Sequence, residues 1–169
     1  MEVILYLAQT VNGYIAKEND NTPWSNEEFV AYYLEVKMAK NLIVGNKTYK
    51  IMKESDEFRK CNNPTIVVVS KSHPVGVYGS ASFVKSPGDA IDLLKSKGFK
   101  KIIIGGGSVT AYSFMKLGLV DKLYIDVEPL MFGNGVPFLF KGKLESKLEL
   151  TKLKKLSKNT LQLQYRILR

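Results

Sequence analysis

The sequence holds one cysteine, one histidine and one tryptophan in 169 residues, and none of its apolar runs approaches the roughly 20 residues that a membrane-spanning helix requires. Cys61 has no second cysteine to pair with, which excludes an internal disulfide. It reads as a free thiol in a reducing compartment, without a metal or redox role. The apolar start "MEVILYLAQT" carries an acid at position 2 and is too short for a signal or membrane segment. A cytoplasmic location is therefore expected, with no membrane partner. Internal repeats, linkers and low-complexity tracts are also missing, so residues 1–169 are expected to form one domain, with a core large enough to be stable without staples.

Positive charge is plentiful. A net charge of +9 favours anionic partners, either nucleic acid or a phosphorylated cofactor. Many of the cations lie near the C-terminus, interleaved with apolar residues at strand period, which is the pattern of a solvated face. Nucleic acid is set behind the cofactor for that reason.

The order of apolar runs defines the fold class. Val3 to Ala8, "NLIVG", "TIVVVS", "KIIIG" and "KLYIDVEP" read as buried strands, with a brief "SFVK" after the third. Helices are expected between them. One follows Ser25 or Asn26, with Glu27 and Glu28 at its positive end. Its core face is expected to hold Phe29, Tyr33 and Val36, widened by Val30, Leu34 and Met38. Another opens at Ser86-Pro87 and stops at Gly98, and a third ends at Gly118. "ESDEFRKCNNP" reads as a polar connection. "KLELTKLKKLS" and "TLQLQYRIL" alternate around Lys158-Asn159 as an antiparallel hairpin. The expectation is a three-layer α/β domain: a mostly parallel central sheet, helices on both faces and a C-terminal antiparallel hairpin. The hairpin suits either a sheet edge or an interface, so monomer and homodimer both stay open.

Chemistry is expected beyond the C-terminal ends of the parallel strands, where loops lead into helix N-termini. "IIIGGGSVTAYSF" lies there. It lacks the lysine and hydroxyl of a P-loop and is not G-x-G-x-x-G. Consecutive glycines are disfavoured in ordered structure unless close approach or unusual torsions require them. "LIVGNKTY" and "VVVSKSH" supply further turns carrying Gly45, Asn46, Lys47 and Thr48, and Ser70, Lys71 and Ser72. Together they form a basic, hydrogen-bonding rim suited to a dinucleotide phosphate.

"LAQTVNGYIA", "TPWS", "LIVGNKTY", "VVVSKS", "IIIGGGSV" and "LVDKLYIDVEP…FGNGVPFLF", in that order across nearly the whole chain, resemble the dihydrofolate reductase superfamily, which includes the reductase domain of riboflavin biosynthesis. The resemblance implies hydride transfer from NADPH to a nitrogen heterocycle. It places the nicotinamide near Ala8, Ile15 and Ala16, and the pyrophosphate and adenosine side at Gly45, Asn46, Lys47 and Thr48. Ser70, Lys71 and Ser72 would meet the 2′-phosphate, and Gly105, Gly106, Gly107, Ser108 and Val109 would cradle the pyrophosphate. The family's arginine after the first glycine turn is Asn46 here, while Lys47 and Lys71 still favour NADPH over NADH. A cis peptide is expected at Gly105-Gly106.

On the substrate side the resemblance implies Ala8, Trp24, Glu28, Phe29, Tyr33, Ile104 and Asp126. Gapless counting puts Phe29 where dihydrofolate reductases keep their carboxylate, with Glu28 one residue, about 100°, away. Asp126 stands where the family has a hydroxyl residue, and an acid inside an apolar strand is costly unless paired or functional. Asp126 is thus expected to be the heterocycle-binding carboxylate, and Glu28 either a second catalytic acid or only a helix-start charge. Trp24 caps the pocket or anchors its loop. His73 contacts the cofactor or is a solvated loop residue. The arginine that grips the glutamate tail of folate is replaced by Pro64. The leading expectation is reduction of 7,8-dihydrofolate. The alternatives are reduction of a ribosylamino-pyrimidine phosphate in riboflavin biosynthesis and, in another class, a non-catalytic nucleotide- or RNA-binding protein.

Overall fold

A computed structural model describes residues 1–139 and 143–169. Phe140, the last residue of "FGNGVPFLF", lies outside the described residues. In chain order the elements are β1 (Glu2–Thr10), β2 (Tyr14–Ala16), α1 (Asn26–Ala39), β3 (Asn41–Gly45), α2 (Asn46–Glu54), α3 (Glu57–Lys60), β4 (Thr65–Val69) and β5 (Gly76–Tyr78). They continue with β6 (Ala81–Val84), α4 (Pro87–Ser96), β7 (Lys101–Ile104), α5 (Ser108–Lys116), β8 (Lys122–Glu128), β9 (Val136–Pro137), β10 (Lys147–Lys155) and β11 (Leu161–Leu168). The main sheet runs β10-β11-β8-β1-β7-β3-β4-β6-β5. From β8 to β6 every neighbouring pair is parallel, while β11 joins β8, and β10 joins β11, antiparallel. This is the expected three-layer α/β fold with a C-terminal hairpin.

Strand alternation explains why the central strands are apolar throughout. Val3, Leu5 and Leu7 of β1, Ile43 of β3, Val67 of β4 and Ile102 and Ile104 of β7 point to one face, where α4 and α5 bring Ala90, Leu94, Ala111 and Phe114. Ile4, Tyr6, Leu42, Val44, Ile66, Val68 and Ile103 point to the other, beneath Val36 and Ala39 of α1 and Tyr49 and Met52 of α2. Fully burying a side chain of this size contributes about 1.5–3 kcal/mol, so two covered faces hold the strand ends rigidly in register.

Helix ends follow local chemistry. Ser86 and Asp89 form a reciprocal capping box with Pro87 at the first turn, and Gly98 takes φ +84 just past the end of α4. The face of α1 differs from expectation. Val30, Leu34 and Met38 are 65%, 54% and 55% exposed, whereas Glu28, Glu35, Val36 and Ala39 are buried. Two glutamates occupy the inner face, one of them paired with Lys101 at 2.6 Å, so hydrophobicity does not mark that face.

Four further elements lie where only loops are expected. The polar connection contains α3, β5 pairs antiparallel with β6 at the sheet edge, and β2 pairs with β9 to tie the loop after β1 to Val136 and Pro137.

Candidate active site

The C-terminal ends of β1, β3, β4 and β7 open into one cleft of about 760 Å³. Ala8 at the end of β1 and Ile15 and Ala16 of β2 form one wall. Gly45 to Thr48 contribute from the turn into α2, Ser70 to Ser72 from the loop after β4, and Gly105, Gly107, Ser108 and Val109 from the turn into α5. Trp24, Glu28 and Phe29 face them from the start of α1. The sheet edge therefore gathers three loops that sequence distance separates.

Two of these turns suit an anion. The N-caps of α2 and α5 are Gly45 and Gly107, and neither helix has a side-chain cap. Their first N–H groups and dipoles are left for a ligand. Ser108 Oγ is buried and has no hydrogen-bond partner in the structure. A dinucleotide phosphate fits this donor set. Lys47 lies at the same turn but is paired with Asp20 at 2.6 Å, whereas Lys71 sits in the loop where Ser70 accepts a hydrogen bond from His73 N at 3.2 Å. The His73 ring stacks on Phe83 at 4.0 Å and meets Tyr78 edge-on at 4.6 Å, outside the main cleft.

The glycine turn is latched to the protein itself. Gly105 N donates to Ile43 O at 2.8 Å, Gly45 N to Gly106 O at 3.1 Å, and Gly107 N to Thr48 Oγ1 at 3.0 Å. A Cβ on Gly105 would strike the Tyr32 hydroxyl, and one on Gly106, at φ +94, would lie 2.5 Å from Leu7 Cδ2. Close approach of the protein's own side chains is what requires glycine at these two positions. The cis peptide falls at Gly106-Gly107, one bond later than expected, because Gly105 still continues β7 by bonding to β3. Gly106 itself is not among the residues lining the cleft.

The acids divide into separate roles. Asp126 is fully buried, and its two oxygens are engaged: the Tyr6 hydroxyl donates to Oδ2 at 2.6 Å and Gln162 Nε2 to Oδ1 at 2.9 Å. Gln162 Nε2 also donates to the Tyr6 hydroxyl at 2.8 Å, and Gln164 holds Gln162 Oε1 at 2.6 Å. Asp126 does not line the cleft, whereas Tyr6, whose hydroxyl it holds, does. Glu128 accepts from Ser25 N at 3.1 Å and Ser25 Oγ at 2.8 Å, fastening the start of α1 to β8. Glu28 is the buried one among the acids that line the cleft. It is 3% exposed, its backbone N–H donates to Ser25 Oγ at 3.3 Å, and its Oε2 is buried without a partner.

Burial is the main reason the Glu28 carboxyl holds its proton well above the usual range, and the charges of Asp126, Glu128 and Glu57 add to the effect. Burial likewise pushes Asp126 up to about 6, against the lowering effect of its hydrogen bonds from Tyr6 and Gln162. Glu28 therefore presents a neutral carboxyl, one donor and one acceptor, to whatever enters the cleft.

Of the other expected residues, Ile104 is fully buried in the core, and Tyr33 packs on Phe29 at 5.8 Å rather than lining the cleft. Tyr32 takes its place. The spacing offered a signal for this, since Tyr32 is one helical turn, four residues, from Glu28 and so shares its face. Trp24 lies in the wall and stacks at 6.2 Å on Phe132, so it serves as lining and loop anchor together. Tyr6, Met52 and Glu57 also line the cleft, and nothing in their local sequence sets them apart from core or surface residues.

An open parallel sheet with uncapped helix starts and a buried carboxyl across one cleft is an arrangement suited to holding a dinucleotide beside a second ligand. Residues 1–162 match the model of the RibD C-terminal domain, and the chain belongs to that family. It is 27% identical over 157 residues to the uncharacterized protein YwjB of Bacillus subtilis strain 168, covering 88% of each chain. It is 26% identical over 153 residues to the riboflavin biosynthesis protein RibD of Corynebacterium ammoniagenes, spanning 81% of this chain and 45% of that protein. A solved diaminohydroxyphosphoribosylaminopyrimidine deaminase/5-amino-6-(5-phosphoribosylamino)uracil reductase of Thermotoga maritima superposes with a TM-score of 0.76 at 14% identity, over 99% of this chain and 56% of that one. The class is thus a RibD-type oxidoreductase domain. The expectation that ranks dihydrofolate first is not supported, and the riboflavin-type alternative is the better match. Among the described residues, no helix is long and apolar enough to cross a membrane.

Proposed function

We propose that this chain is a reductase that uses NADPH to reduce a C=N bond of a ribosylamino-pyrimidine or close relative, the reaction class of riboflavin biosynthesis. NADPH, when bound, supplies the hydride. Gly45, Asn46, Lys47 and Thr48, with Gly107 and Ser108, hold its phosphates at the two helix starts, and Ser70, Lys71 and Ser72 receive the 2′-phosphate. Ala8, Ile15 and Ala16 form the apolar wall for the nicotinamide. Glu28 orients the heterocycle through its donor and acceptor and offers a proton for the nitrogen of the reduced bond, so that C=N gains hydride at carbon and a proton at nitrogen. Tyr6 is part of the wall and is held by Asp126, while burial first, and then the charges of Asp126, Glu128 and Glu57, favour the protonated form of Glu28.

The observation that carries this reading is the partnerless, buried Glu28 carboxyl facing two uncapped helix N-termini across one cleft. Consumption of NADPH with a ribosylamino-pyrimidine, followed by absorbance, tests it. Tight oligonucleotide binding with strong salt dependence and no NADPH consumption would point instead to a non-catalytic nucleic-acid binder.

A further inference from the structure

The cleft has an acidic, aromatic part at the starts of α1 and α3 and a phosphate-suited part at the starts of α2 and α5. Trp24, Phe29, Tyr32, Glu28 and Glu57 line the first. Only Lys47 and Lys71 supply amines to the cleft among the described residues, and both belong to the loops that suit the cofactor. Lys47 is neutralised by Asp20 at 2.6 Å. The remaining cations of α2, Lys50 and Lys53, face a separate hollow with His73 and Phe83. Glu18, which also lines the cleft, is held by Asn134 at 2.6 Å, and Glu57 accepts from Ser55 at 2.9 Å. Once a dinucleotide has taken the helix starts and Lys71, a second phosphate group would find, among the described residues that line the cleft, carboxylates and aromatic rings and no free amine. Buried charge without a partner is strongly disfavoured, and like charges in a cleft of low dielectric are disfavoured further.

We infer that the substrate of this site carries no phosphate: it is an uncharged pyrimidine nucleoside or a related ring system, stacked between the aromatic side chains and held by Glu28. This rests on the proposed reductase reading, and departs from the phosphorylated pyrimidine in the name of the Thermotoga maritima enzyme. The stacking surface is Trp24, Phe29 and Tyr32, and the sugar hydroxyls meet the polar rim at Glu18 and Glu57. Hydroxyls donate to carboxylates, whereas a phosphate dianion offers them only acceptors.

The test compares the phosphoribosylamino-pyrimidine with the same compound after phosphatase treatment, at saturating NADPH, by the rate of NADPH consumption. The ring is identical, so the ratio isolates the phosphate. The expected result is a kcat/KM at least about tenfold higher for the nucleoside. The KM of the phosphorylated compound should also fall as salt is raised, since salt screens its repulsion from the acids, while that of the nucleoside stays level. Equal or better use of the phosphorylated compound would overturn this inference and leave the reductase reading in place. Consumption of NADPH with neither compound would overturn both.

Discussion

Replacing Asp126 with asparagine should flatten the pH dependence of stability. Asp126 titrates at about 6 in the folded protein and at an ordinary 3.8 when unfolded. Between those values the folded state keeps a proton that the unfolded state has released, so stability falls as pH rises through the window and levels off above about 6. A shift of roughly 2 units corresponds to about 3 kcal/mol. The carboxyl is fully buried, so solvent screening does not reduce that figure much. Glu28 acts in the same direction, because burial first and the charge of Asp126 second raise its pKa. Asparagine cannot ionise. It forfeits one acceptor towards Tyr6 or Gln162, a loss of about 1 kcal/mol that is the same at every pH. Urea unfolding of both proteins from pH 4 to pH 8 at constant salt should therefore show wild-type stability falling by about 2–2.5 kcal/mol more than that of Asp126→Asn, the rest of the window lying below pH 4. Parallel curves, with a constant offset between the two proteins, would refute the argument that Asp126 is ionised at a cost inside this network.

Glu28→Gln keeps a donor and an acceptor but has no proton to release, and should lower kcat/KM by roughly 10²–10⁴-fold while nucleotide binding, read by fluorescence, persists. The wild-type rate should decline on the alkaline side as Glu28 loses its raised-pKa proton, and this limb should be missing from the residual activity of Glu28→Gln. Lys71→Glu should lower the preference for NADPH over NADH by about 10–100-fold, measured as the ratio of the two kcat/KM values. Gly106→Ala drives a Cβ against Leu7 at a positive φ and should destabilise by about 1–3 kcal/mol, seen as a Tm lowered by roughly 3–9 °C. Ser25→Ala removes the cap of α1 and the partner of Glu128, and should lower stability by about 1–3 kcal/mol in urea unfolding.

The sheet was legible because its strands are buried on both faces, and the physics of that burial writes continuous runs such as "IIIG" and "TIVVV" into the chain. The hairpin was legible for the opposite reason, since alternation survives where one face meets water. β2 and β9 were not, because their pairing joins Tyr14 to Pro137 across a separation that no local pattern records. The face of α1 was misjudged for a related reason. Its inner stripe contains Glu28 and Glu35, whose burial depends on a cleft and on Lys101, neither of which is encoded in the helix.

The site shows the same division. Residues placed by backbone geometry, the turns at Gly45, Ser70 and Gly107, could be anticipated from strand ends alone. Which acid faces the ligand could not, because Asp126 and Glu28 are both unusual in sequence and differ only in what surrounds them. Asp126 has Tyr6 on one oxygen and Gln162 on the other, and Gln162 comes from the hairpin strand β11. Glu28 has no such partners and a cleft in front of it. An acid with both oxygens held by the fold orders the protein, and an acid left with a free buried oxygen is available to a ligand. By that distinction the hairpin contributes to the site indirectly: Gln162, held by Gln164, bonds both Asp126 and the Tyr6 hydroxyl, so that Asp126 is engaged by the fold while Glu28 is left to the cleft.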